Sequence, residues 1–161
     1  MSEPSRRSPF LVHDHVRWGD VDPARIIRYD AYTRFFELGE GELFRSLGVP
    51  YTTIFTRYRI SLPRRVMHME FVSAPLLDER LEVATYISDV GTTSLTLNFD
   101  IYGDGGVMRM HGLLVLVCTA LAPEDMRKRP WPEDFIALLE PYRMTVDEAR
   151  RTRVSHVSLD A

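Results

Sequence analysis

The sequence predicts an α+β fold in which a long antiparallel curved sheet wraps around one central helix, and three observations carry that prediction. One strongly periodic helical stretch lies early in the chain, between Asp30 and Gly48. Strand-like stretches then follow one another from Arg57 to Ala120, punctuated by Pro63, Pro75, Gly91 and Asp104-Gly105-Gly106. No helical pattern between them is long enough for a parallel crossover, so the pairing is expected to be antiparallel.

Taken in order, residues 1–10 are polar and basic and read as a flexible N-terminus. Val12 to Trp18 alternates loosely and reads as a strand. Gly19-Asp20-Val21-Asp22-Pro23 is dense in turn formers, and Pro23 pushes Asp22 away from helical geometry, which leaves its carboxylate mounted on a loop. Asp30 is placed as an N-cap, and Tyr32, Phe36, Gly39, Leu43 and Leu47 then recur at helical spacing until Gly48 and Pro50 end the run. Gly39 and Gly41 each cost about 1 kcal/mol inside a helix relative to alanine, a cost that close packing against a sheet would offset.

A brief second helix is expected from Tyr51 to Phe55, followed by strands over Arg57–Leu62, Arg65–Val72, Arg80–Val90, Ser94–Tyr102 and Met108–Ala120. The basic loop Arg127-Lys128-Arg129 precedes a short helix from Pro132 to Leu139. Residues 11–142 form the expected single domain, and 143–161 read as a polar C-terminal tail, with a frayed helix from Thr145 as the alternative to coil.

At 161 residues the chain can bury roughly two thirds of its unfolded surface without a disulfide or metal staple. Its single cysteine, Cys118, sits in the apolar run Leu113 to Leu121, where a thiol packs as a small hydrophobe. The net charge of −3 argues against a nucleic-acid partner, and no stretch reads as a signal peptide or membrane span, so a cytoplasmic location is expected. Lys128 is the only lysine; the remaining cations are arginines, whose planar forks suit phosphates.

The chain holds no Gly-x-Ser-x-Gly elbow, no Cys-x-x-Cys and no phosphate-binding Gly-rich loop. His13 and His15 share a strand face but lack a third ligand nearby, so no metal is expected. Asp22 stands just before a helix start, where a carboxylate and free amide donors can converge on an acyl carbonyl. A carboxylate acting as nucleophile or as general base suffices for a thioester, with backbone N–H groups as oxyanion donors. By residue type alone, a turn or capping aspartate is the favoured reading.

Asp20-Val21-Asp22-Pro23-Ala24-Arg25-Ile26-Ile27-Arg28-Tyr29, followed by Tyr32 and Phe35-Phe36-Glu37, resembles the signature of the 4-hydroxybenzoyl-CoA thioesterase family. Pro63, Phe71, Pro75 with Asp78-Glu79, and Gly91-Thr92-Thr93-Ser94-Leu95 extend the likeness to about residues 10–122. The resemblance implies a hotdog fold and an acyl-CoA thioesterase that needs no cofactor. Asp22 then matches the catalytic carboxylate and the Tyr29 backbone N–H the oxyanion donor. Arg25 replaces the usual glycine beside the acyl pocket, Ala31 stands where asparagine is common, and Tyr32 and Phe36 are candidate pocket walls. Glu37 and Glu40, otherwise an exposed helix surface, are the fallback carboxylates of a related branch.

Candidates for the coenzyme phosphates are Arg64 and Arg65, Arg57 with Arg59, and Arg127, Lys128 and Arg129. The resemblance also implies a homodimer or homotetramer with the site between subunits. The alternatives are a thioesterase acting on acyl carrier protein, a hotdog module that binds acyl-CoA without cleaving it, and, ranked last, a dehydratase, for which the loop offers no histidine.

Overall fold

The computed structural model describes residues 7–157, with side chains to Arg153. Its strands are β1 (Phe10–His15), β2 (Ile60–Ser61), β3 (Arg64–Phe71), β4 (Arg80–Val90), β5 (Ser94–Tyr102), β6 (Met108–Val117) and β7 (Thr119–Ala120). Its helices are α1 (Tyr32–Ser46), α2 (Tyr51–Thr53), α3 (Glu133–Leu139) and α4 (Val146–Val157). Five strands form one antiparallel sheet in the order β1-β4-β5-β6-β3, while β2 and β7 pair separately. Register shifts between Ile87 and Asp89, and between Arg64 and Val66, add local twist and help the sheet curl round α1. This is the hotdog arrangement.

Alternation along β4 explains why both faces of the sheet are covered. Leu81, Val83, Thr85 and Ile87 point one way and Tyr86 the other, and all five are fully buried. On the first face lies α1, where Phe36 stacks on Phe99 at 4.5 Å between ring centroids. Gly39 sits so close that an added Cβ would collide with Thr85 Oγ1 and meet Val83 Cγ1 at 3.0 Å, so the expected close packing is real there. At Gly41 the nearest atom to such a Cβ is 3.6 Å away on Tyr51, and no close approach to the sheet explains that glycine.

The segment after residue 143, expected as a polar tail with at most a frayed helix from Thr145, holds α4, which docks on the second face rather than hanging free. Tyr86, Met144 and Ala149 form a small apolar cluster there. Asp100, 1 % exposed, accepts hydrogen bonds from Arg150 at 3.3 and 3.4 Å and pairs with His111 Nδ1 at 2.6 Å. Arg153 bonds Glu82 at 2.5 Å and lies 3.5 Å over the Tyr102 ring. A helix this polar docks through ion pairs to buried strand carboxylates, which hydropathy does not reveal.

Other boundaries also differ from expectation. Ala31, not Asp30, is the N-cap of α1; Asp30 belongs to a 3-10 turn over Tyr29–Ala31 and pairs with Arg28 at 3.0 Å. Residues Ile54–Tyr58 continue α2 as a π turn, so the strand expected from Arg57 shrinks to Ile60–Ser61. The long strand to Ala120 breaks at Cys118, which is fully buried with its thiol pushed up to about 11 by burial. The N-terminal residues 1–6 lie outside the described residues, and β1 begins at Phe10.

Candidate active site

Between β1 and α1 the chain builds a loop held from below by one carboxylate. Asp20 accepts the Arg17 N–H at 2.8 Å, Arg34 Nε at 3.1 Å and Arg34 Nη2. Arg34 also reaches Asp14 at 2.5 Å and the His15 carbonyl at 3.1 Å, which ties the first turn of α1 to the end of β1. Burial works to raise the Asp20 pKa, but Arg34 and the Arg17 amide outweigh it and hold the carboxyl below its ordinary value. The Asp20 carbonyl in turn accepts the Arg28 N–H at 2.8 Å.

Above this anchor the loop closes on itself through a bridge between Val21 and Ile27, with Asp22 N–H donating to Ile26 at 3.2 Å and Arg25 N–H to the Asp22 carbonyl at 2.9 Å. Arg25 takes a left-handed conformation with φ 67°, so the chain keeps the path that a glycine follows without strain. Asp22 Oδ1 accepts the Ala24 N–H at 2.8 Å. The other oxygen, Oδ2, receives no hydrogen bond among the described residues.

The Tyr29 amide opens the 3-10 turn that runs into α1 and, among the described residues, has no acceptor within the chain. Asp22 and Tyr29 line the same cleft of about 400 Å³, together with Ile26, Tyr32, Phe71 and Val72. Burial pushes the Tyr32 hydroxyl up to about 12, so it stays protonated at neutral pH. Asp22 also borders a second cleft of about 800 Å³ beside Trp18, Pro23, Arg25, Leu76 and Leu77. The carboxylate thus stands on the wall between two chambers.

Glu79 holds the opposite lip. Its carboxylate accepts the Leu76 N–H at 2.9 Å, the Asp104 N–H at 3.2 Å and Arg109 at 2.6 and 2.8 Å. Through an Ile26–Leu76 bridge that lip meets the Asp22 loop.

The remaining sequence candidates separate in space. Tyr32 lies in the Asp22 cleft and Arg25 in the neighbouring chamber, whereas Phe36 lines a different cavity of about 750 Å³ with Glu40, Tyr51 and Arg64. Glu37 is exposed as expected, but Glu40 is fully buried rather than a solvated helix residue, and Arg64 Nη2 binds its two oxygens at 2.6 and 2.7 Å. Arg64, itself 39 % exposed, is therefore already engaged by an internal carboxylate. Arg65 and Lys128 share a surface cleft of about 390 Å³, while Arg127 pairs with Asp125 at 2.7 Å and Arg57 with Asp134 at 2.9 Å. Arg59 sits in a left-handed turn, and Arg129 donates its backbone N–H to the Cys118 carbonyl at 2.9 Å. His13 pairs with Glu82 at 3.0 Å.

Sequence reasoning missed Arg34, Trp18, Leu76 and Glu79. Trp18, a large aromatic directly before the loop and 81 % exposed in the fold, was the one of these that residue type and position could have flagged.

The model of the thioesterase-like superfamily matches residues 16–139, from just after β1 to the end of α3. This chain belongs to that superfamily. A thioester hydrolase is the enzyme class the sequence led us to expect, and the family is that class. The chain is 24 % identical over 122 residues to the acyl-CoA thioester hydrolase YbgC of Escherichia coli O157:H7 and of Shigella flexneri, covering 76 % of this chain and 89 % of the relative. Among solved structures, a thioesterase-superfamily protein from Jannaschia sp. CCS1 superposes with a TM-score of 0.78 at 26 % identity, over 90 % of this chain and 100 % of that one. A mutant 4-hydroxybenzoyl CoA thioesterase complexed with 4-hydroxybenzoyl CoA gives 0.73 at 23 %, over 81 % and 97 %, and supports the hotdog fold. No helix among the described residues is long and apolar enough to cross a membrane.

Proposed function

We propose that this superfamily member hydrolyses acyl-CoA thioesters to a carboxylic acid and free CoA, with Asp22 as the catalytic carboxylate. One observation carries the reading: Asp22 and Tyr29 line one cleft, and among the described residues the Asp22 Oδ2 oxygen and the Tyr29 N–H are both without a hydrogen-bond partner. A thioester carbonyl seated against the Tyr29 amide exposes its carbon to Asp22, which attacks it directly or takes a proton from an attacking water. Collapse of the tetrahedral species breaks the C–S bond, and the thiolate leaves and is protonated; on the direct route the acyl-Asp22 anhydride left behind is then hydrolysed by water, which releases the acid and restores the carboxylate. The names of the YbgC relatives, and a Staphylococcus aureus structure in complex with CoA at a TM-score of 0.79, support CoA as the thiol.

The same reading makes the active form at least a dimer. Strand β3 is an edge strand, and Val66, Met67 and Phe71 on it are 44, 49 and 55 % exposed. An exposed apolar edge is completed by antiparallel pairing with a second β3. Within one copy the Arg64 and Phe71 ends of the strand are about 23 Å apart. A two-fold axis through the strand centre carries Arg65 and Lys128 of the second copy toward the Phe71 end, near Asp22, where they would meet the coenzyme phosphates.

The test is release of free thiol from aromatic and aliphatic acyl-CoA substrates and from acyl carrier protein, with wild-type and Asp22→Asn protein side by side. Turnover lost in the variant supports Asp22, and full turnover in it removes Asp22 from the chemistry. Hydrolysis of carrier-protein substrates alone replaces CoA with a carrier protein.

A further inference from the structure

The 750 Å³ cavity beside α1 ends in a polar group that the hydrolytic reading does not use. Its walls are apolar, with Phe36, Phe55, Leu62, Met67 and Leu114, whereas at one end Glu40, Arg64 and Tyr51 meet. Glu40 is fully buried, and burial, only partly offset by Arg64, raises its pKa above the ordinary value. The Tyr51 hydroxyl is buried within electrostatic reach of Glu40 and Arg64, yet it meets hydrogen-bond geometry with neither, nor with any other described residue. Rings on either side, Phe44 at 5.9 Å and Phe55 at 6.3 Å, hold the phenol in place. An unsatisfied buried hydroxyl costs about 1 to 3 kcal/mol, so the pattern is that of a site awaiting a ligand group.

The cavity and the Asp22 cleft both draw wall residues from α1 and β3. Tyr32 and Phe71 border the cleft, while Thr33, the next residue along the helix, and Met67, on the same strand face as Phe71 but beyond Met69, border the cavity. From Tyr32 to Glu40 the helix rises about 12 Å.

We propose that this cavity receives the far end of a medium-length acyl chain and recognises a terminal hydroxyl there, a substrate class that rests on the thioesterase reading above. The donor and acceptor pattern decides the class. A hydroxyl accepts from the Tyr51 O–H and donates to a spare lone pair of Glu40. A terminal carboxylate meets the Glu40 charge, which already occupies the Arg64 fork, and a terminal ammonium meets Arg64. A methyl end leaves Tyr51 unsatisfied. Glu40 and Tyr51 are thus specificity residues and Asp22 the reacting one.

The experiment measures kcat/KM on medium-chain acyl-CoA substrates matched in length and ending in methyl, hydroxyl or carboxylate. We expect the ω-hydroxyacyl substrate to be favoured over its methyl-terminated match by about 10-fold, and Tyr51→Phe to bring that ratio close to one. Equal rates for the two ends, a preference untouched in Tyr51→Phe, or a preference for the carboxylate overturns the assignment. Calorimetric binding of the free ω-hydroxy and unsubstituted acids reads the same preference without turnover. A protein that binds the hydroxy acid preferentially yet cleaves no thioester keeps the cavity assignment and loses the hydrolytic one; a protein that cleaves thioesters but binds both acids equally does the reverse.

Discussion

Asp20 and Asp22 stand two residues apart on one loop, and the structure treats them in opposite ways. Asp20 is 7 % exposed, gathers Arg34 and the Arg17 amide, and has no unpaired oxygen to offer. Asp22 is half-buried, spends one oxygen on the Ala24 amide, has no hydrogen bond to the other among the described residues, and lines two clefts. The first carboxylate fixes the path of the loop, and the second has the access that chemistry requires. The difference teaches that at this loop the paired charge is the anchor and the under-paired charge is the reagent.

The sharpest way to break that comparison is to neutralise each in turn. Asp22→Asn should lower kcat by about 10²- to 10⁴-fold with little change in melting temperature, as thiol release and thermal unfolding together would show. Asp20→Asn should do the reverse at first order, costing about 3 kcal/mol of stability by stripping Arg34 of a buried partner, measurable by urea unfolding. Similar stability losses in both variants would dissolve the distinction.

Because the folded Asp20 pKa lies below its unfolded value, the stability it contributes is present above the unfolded pKa and is lost as pH falls through the folded one. The gap between wild-type and Asp20→Asn stability should therefore be widest near neutrality and close below about pH 4. Glu40 has the opposite sign: its folded pKa is raised, so its favourable contribution sits at low pH and is lost as pH rises through the raised value. A third, smaller effect concerns backbone strain. Arg25→Gly should stabilise the loop by about 1 kcal/mol by relieving the left-handed residue, while altering acyl preference because the chamber beside Asp22 loses its cation. Last, Lys128→Ala and Arg65→Ala should each raise KM for CoA substrates several-fold with kcat little changed, at most about 1 kcal/mol per exposed contact.

Much of this was legible in the chain. Strands β4 and β5 begin and end where alternation and turn residues place them, and α1 lies where its apolar period puts it. The Asp22 loop could be singled out because Pro23 and the adjoining helix start leave a local trace. Glu40 could not. Its neighbours Glu37 and Glu42 look the same in sequence, and only the angular position around α1, facing Arg64 of β3, makes it a buried residue. The π turn after Pro50 and the docking of α4 were equally hidden, since each follows from what the segment packs against.

By itself the sequence determined the α+β class, the order of the elements and the loop that carries Asp22. Hydrophobic period, proline and glycine are local, and they act before any distant segment arrives. Which carboxylates became anchors, and which amide and oxygen were left without partners, only the tertiary structure decided. Partnership is a matter of distance between residues far apart in the chain, as with Glu40 and Arg64 or Asp100 and Arg150, and burial then sets what each charge can do.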